Sequence, residues 1–113
     1  MFTRVSPTQL NDWLAQHPGD PLPLVLDVRE PWEFQTAHVT AEGFELLNLP
    51  MGQIPSQLAA LDPERPTACL CHHGMRSMQV AMFLAQHDFG QVANIEGGID
   101  AWSLQRDPSV PRY

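Results

Sequence analysis

Apolar positions along this chain alternate between two patterns: short runs with nearly every position filled, and longer stretches with one apolar residue in three or four. Filled runs mark strands covered on both faces, and the wider spacing marks helices with one face turned inward. Leu24-Val25-Leu26 is a run of the first kind, Thr67 to Cys71 reads as another buried strand, and Val92 to Ile95 as one more strand. Glu45 to Leu49, stopped by Pro50, reads as a further strand, and Phe2 to Val5 as a short edge strand. Leu10, Trp13 and Leu14 follow at helical spacing behind Ser6-Pro7-Thr8-Gln9, which predicts a start with Ser6 as N-cap and Pro7 in the first position. His17-Pro18-Gly19 closes that helix. A short helix is expected over Pro31 to Ala37, and Ile54, Leu58 and Leu61 share one helical face. From Arg76 to His87 the apolar residues Met78, Val80, Ala81, Met82, Phe83 and Leu84 cover most of the surface, which predicts a centrally buried helix. Ile99 to Leu104 is a last short helix, and the tail Asp107 to Pro111 should run extended.

Strands alternating with helices imply right-handed crossovers, hence an α/β fold with a mostly parallel sheet and helices on both faces. With 113 residues and no repeat, linker or low-complexity tract, the expectation is one domain over 1–113. A hydrophobic fraction of 43% suffices for a core without disulfides or a structural metal. The N-terminus lacks a signal-peptide pattern and no stretch reaches membrane-spanning length, so a soluble, cytoplasmic protein with no membrane partner is expected. A net charge of −7 argues against nucleic acid and anionic membrane alike. All six basic residues are arginine. Composition bias accounts for most of that, and only Arg76 and Arg29 sit where a planar guanidinium would matter for anion contact. Cys69 and Cys71 stand one residue apart, too close for an unstrained disulfide, which fits free thiols in a reducing compartment.

In open α/β folds ligands bind at the carboxyl ends of the strands, where loops lead into helices. Cys71 occupies such a place, at the end of a buried run with a helix starting a few residues on. The turn Cys71-His72-His73-Gly74-Met75-Arg76 would curl its N–H groups inward and, with the helix dipole, form an anion cradle that favours a thiolate. Gly74 admits a left-handed or otherwise strained turn there, and Arg76 can hold an oxyanion with a fork of hydrogen bonds.

Cys71-His72-His73-Gly74-Met75-Arg76-Ser77 resembles the active-site loop of the rhodanese-type sulfurtransferases. Three further segments resemble the family's motifs in order: Asp27-Val28-Arg29 with Glu33-Phe34 and His38-Val39, then Asn48-Leu49-Pro50, then Glu96 to Trp102. Ala37 stands where that family usually has glycine, and Thr40 to Phe44 departs from its common pattern. The resemblance implies a five-stranded domain in which Cys71 takes sulfur from a donor such as thiosulfate. The persulfide then passes its outer sulfur to cyanide or a thiol, and no cofactor takes part. Loop amides from His72 to Met75 would hold the anionic persulfide, and Arg76 would contact the charged donor.

Cys69, two residues back within its strand, reads as core filling. His72 and His73 either line the entrance or face water. A metal site at Cys69, Cys71, His72 and His73 is not expected, because four near-adjacent residues cannot easily converge on one tetrahedral ion. Arg29 and Glu33 have i,i+4 spacing and are expected to pair, with Asp27 bracing the loop through backbone N–H groups. Trp102 reads as a packing anchor, and His17, His38 and His87 as structural. A phosphatase is the first rival, but related cysteine loops place five residues between Cys and Arg and this one places four. The second rival is a persulfide carrier or sensor with little turnover, working with a protein partner. Given the acidic balance, that partner would be a basic one.

Overall fold

The sheet has β2 (Leu24–Asp27), β4 (Thr67–Leu70) and β5 (Val92–Ile95) at its centre, flanked by β1 (Thr3–Val5) and β3 (Glu45–Asn48). A computed structural model describes residues 2–113. All strand pairs are parallel, in the order β1-β5-β4-β2-β3. The strands expected at Leu24, Thr67 and Val92 are the three central ones, buried at every position, while β1 and β3 take the edges with part of their length in water.

Side chains alternate between the faces of a strand, and this divides the core in two. Val25, Ala68, Leu70, Ala93 and Ile95 meet α1 (Leu10–Ala15) and α5 (Gly98–Gln105) on one side. Leu24, Leu26, Cys69, Cys71 and Val92 meet α3 (Ile54–Gln57) and α4 (Met75–Gln86) on the other. The remaining helix, α2 (Pro31–Thr36), follows β2 and carries Glu33 inward. Trp102 is buried edge-on against Phe44.

Four local expectations need correction. Ser6 does not cap α1; Ser6 to Gln9 closes as a separate turn through Gln9 N–H to the Ser6 carbonyl, and the helix begins at Leu10. The face of Ile54, Leu58 and Leu61 is not one helix, because α3 lies between two 3-10 turns, Met51–Gln53 and Leu58–Ala60. Helix α4 is not buried all round: Ser77, Val80, Ala81 and Leu84 form the single inward stripe, and Met82 is 42% exposed. The sheet covers only one side of a helix, so Met82 stays outside while Met78 and Phe83 are only partly covered. The tail does not simply run extended either. Asp107 folds a turn by accepting from the Ser109 N–H and hydroxyl, and Ser103 Oγ donates to the carbonyl of the buried Val110 at 2.7 Å.

Candidate active site

Cys71 directly follows β4, and its side chain lies on the α3–α4 side of the sheet, 1% exposed. The turn from His72 to Gly74 brings the Gly74 N–H onto Cys71 Sγ at 3.1 Å, and Gly74, the N-cap of α4, then takes φ +103 to lead the chain into the helix. The sequence led us to expect a ring of amides; among the described residues one amide reaches the sulfur. Four residues after β4 the chain enters the twelve-residue α4, whose first-turn N–H groups and dipole favour negative charge at this end.

The loop is held from behind by the start of α5. Ile99 N–H donates to the Cys71 carbonyl at 2.8 Å and Asp100 N–H to the His72 carbonyl at 3.1 Å. That approach is possible because Gly98 has no side chain: a Cβ there would lie 2.4 Å from both carbonyl oxygens. Buried Asn94 adds a brace from β5, donating to the Gly74 carbonyl at 3.3 Å and accepting from Ser77 Oγ at 2.6 Å. Sequence reasoning missed Asn94 and Ser77. The available signal was an amide inside an otherwise apolar strand and a hydroxyl on the inward stripe of a helix.

Charged groups are arranged differently from expectation. Arg29 does not pair with the Glu33 carboxylate. Its guanidinium is fully buried and locked bidentately on Asp27, at 2.9 Å from Nε and 2.7 Å from Nη2, and it also donates to the carbonyls of Ala37 and Glu33. Asp27, at the end of β2 and only two residues away, wins because both groups are enclosed together. Asp27 braces Arg29, accepting its backbone N–H as well, and does not reach the Cys71 loop. Asn48 ties the same strand end through the carbonyls of Asp27 and Arg29. Ala37 sits in extended backbone, φ −159, so its methyl group is accommodated where glycine is usual.

Glu33 instead takes both forks of Arg76, at 2.7 and 2.9 Å, while its own carboxylate is almost enclosed. It also accepts the Glu30 N–H at 3.1 Å and the Tyr113 hydroxyl at 2.7 Å. Arg76, foremost of these donors, brings the Glu33 carboxyl from its ordinary 4.5 down to about 2, against the opposing effect of burial. Between those values the unfolded chain binds a proton that the folded one refuses. The stability from this pair is therefore complete above about pH 4.5 and lost as pH falls toward 2. We expect a loss of about 2 kcal/mol, allowing for the half-exposed Arg76. Urea midpoints should fall more steeply below pH 4.5 for the native chain than for Glu33→Gln; parallel curves would contradict this.

Tyr113 was not foreseen as part of the site. Its ring stacks on His72 at 3.9 Å and 8°, and His72 stacks in turn on His73. His72 is therefore a half-buried, packed residue, and His73 the water-facing one. Burial, aided by the neighbouring His73, pushes the His72 pKa down. Met75 is 65% exposed at the rim. Cys69 is wholly buried, and burial pushes its thiol far up, as befits a core residue. His72, His73 and Asp100 bring ligand atoms within 4.8 Å of one another. They fit an ion poorly, because stacked rings direct their lone pairs along near-parallel planes, not toward one point about 2.1 Å from each. Asp100 is also already paired with Arg112 at 2.8 Å.

Residues 10–105 match the model of the Rhodanese-like domain family. The chain is 44% identical over 93 residues to the Rhodanese-like/PpiC domain-containing protein 12, chloroplastic, of Arabidopsis thaliana, covering 79% of this chain but 30% of that protein. It thus spans less than a third of the first curated relatives it matches. It is 32% identical over 112 residues to the thiosulfate sulfurtransferase GlpE of Actinobacillus pleuropneumoniae, covering 99% of this chain and 96% of that one. Among solved structures, a rhodanese-related protein of Thermoplasma volcanium superposes with a TM-score of 0.78 at 25% identity, covering 99% of this chain and 100% of the other.

Proposed function

The chain belongs to the rhodanese-like domain family, and on that premise we propose that it is a transferase moving sulfane sulfur through a persulfide on Cys71. The observation that carries this reading is the hydrogen bond from Gly74 N–H to Cys71 Sγ at 3.1 Å, at a strand end facing the start of α4. In the first step the Cys71 thiolate attacks the outer sulfur of a donor such as thiosulfate. A sulfur–sulfur bond forms to Cys71, the donor's own breaks, and sulfite leaves with the electron pair. Cyanide or a thiolate then attacks the outer sulfur and regenerates the Cys71 thiolate. No redox cofactor is needed, because each step exchanges one bond to sulfur for another. The loop from His72 to Met75 lines the approach, and Arg76 is the cation nearest in sequence to the donor's charge.

The second reading, a carrier of sulfur for a protein partner, draws support from charge. Arg76 is neutralised by Glu33, Arg29 is enclosed with Asp27, and the chain carries −7 overall. A free dianion gains little from such a surface, whereas a basic protein gains from it. Free Cys69 and Cys71 suit a reducing compartment such as the cytoplasm. Among the described residues no helix is long and apolar enough to cross a membrane.

Turnover from thiosulfate to cyanide, followed across ionic strength, separates these readings. We expect sulfur transfer that quickens as salt screens the acidic surface. Efficient turnover indifferent to salt would remove the argument for a basic partner. Hydrolysis of a chromogenic phosphate ester at a comparable rate would contradict sulfur transfer as the activity.

A further inference from the structure

The Glu33 carboxylate holds one guanidinium directly, that of Arg76, and is linked to a second, that of Arg29, through a single phenol oxygen. Tyr113 Oη accepts from Arg29 Nη1 at 2.9 Å and donates to Glu33 Oε2 at 2.7 Å. Arg76 holds both carboxylate oxygens from the other side. Arg29 Nη1 has one further acceptor, the Glu33 carbonyl at 3.2 Å. Without the Tyr113 hydroxyl Arg29 Nη1 is left short of an acceptor, which is costly for a buried cation, and the Glu33 carboxylate stands on the far side of that same oxygen. The Tyr113 ring is fixed independently, face to face on His72 and edge-on to Trp32 at 6.3 Å.

We infer that Tyr113 is a positioning residue that keeps Glu33 on Arg76 and away from Arg29, so that the loop presents a neutralised guanidinium to small anionic donors. The consequence is selectivity. A small dianion must compete with Glu33 for Arg76, while a donor that brings its own contacts is not disfavoured. Removing only the hydroxyl lets Glu33 turn toward Arg29 and uncovers the Arg76 charge. The use of this device rests on the sulfur-transfer reading; its geometry does not.

The test measures thiosulfate binding by NMR titration in the Cys71→Ser chain, where transfer cannot intrude, with and without Tyr113→Phe. The phenylalanine ring keeps the stack on His72. We expect binding about fivefold tighter after Tyr113→Phe, a gain that grows at low salt and vanishes in an Arg76→Gln background. In the chain with Cys71, the same variant should lower the thiosulfate KM with little change in kcat, a split that simple destabilisation would not give. Equal or weaker binding, no binding in either chain, or the same gain without Arg76 would overturn the inference. If Tyr113→Phe does not fold, Glu33→Gln replaces it, and no gain in affinity there also overturns it. Absence of an added sulfur on Cys71 would instead sink the transfer reading and leave the binding result standing.

Discussion

Cys71→Ser should lower sulfur transfer by on the order of a thousandfold or more while leaving the unfolding midpoint nearly unchanged. A hydroxyl is close in size to a thiol and can still accept from Gly74 N–H, so the loop keeps its shape. What disappears is the proposed nucleophile, since serine at this site cannot carry a sulfane sulfur. Cys69→Ser should behave in the opposite way. Its side chain is fully buried on the same face, among apolar neighbours. A hydroxyl placed there costs about 2 kcal/mol of stability while transfer persists in the folded fraction. Parallel assays of activity and urea stability on the two variants check the division. Equal loss of activity in both would contradict it.

Gly98→Ala should be the most damaging small substitution at the site. The residue has φ +61, a conformation that costs a side-chain-bearing residue about 1–2 kcal/mol even in open space. Here the space is closed: the new methyl group would meet the carbonyl oxygens of Cys71 and His72 at 2.4 Å and the His72 carbonyl carbon at 2.5 Å. These are backbone atoms and cannot swing aside, so either α5 or the loop must shift. Together the two effects predict a loss of about 3 kcal/mol or more. Any folded protein should show transfer reduced by on the order of a hundredfold, because a shift of about 1 Å displaces the sulfur from the Gly74 amide. Native-like stability together with native-like activity would show that α5 does not set the position of the loop.

Much of this arrangement was legible in the chain. The apolar run at Leu24 to Leu26 marked a strand buried on both faces, the strands at Thr67 and Val92 were placed beside it, and Gly74 before a helix marked a turn that needs glycine. Gly97-Gly98 was visible as part of a motif, but its reason, the close approach of α5 to two loop carbonyls, exists only in three dimensions. Pairing of charges was the least legible part. Spacing put Glu33 with Arg29, yet Asp27 lies at the same buried strand end and Arg76 arrives from a helix 43 residues away. Tyr113, at a sequence distance of 80 from Glu33, gave no local signal, since a tyrosine beyond two prolines reads as tail. Long-range contacts between polar groups leave no periodicity to find.

The most direct measurement is intact mass after incubation with thiosulfate, with the modified residue located by peptide mapping. A gain of one sulfur atom on Cys71, absent from Cys71→Ser and reversed by cyanide or a thiol, is the expected result. An unchanged mass, or sulfur carried on Cys69, would contradict the role given to Cys71.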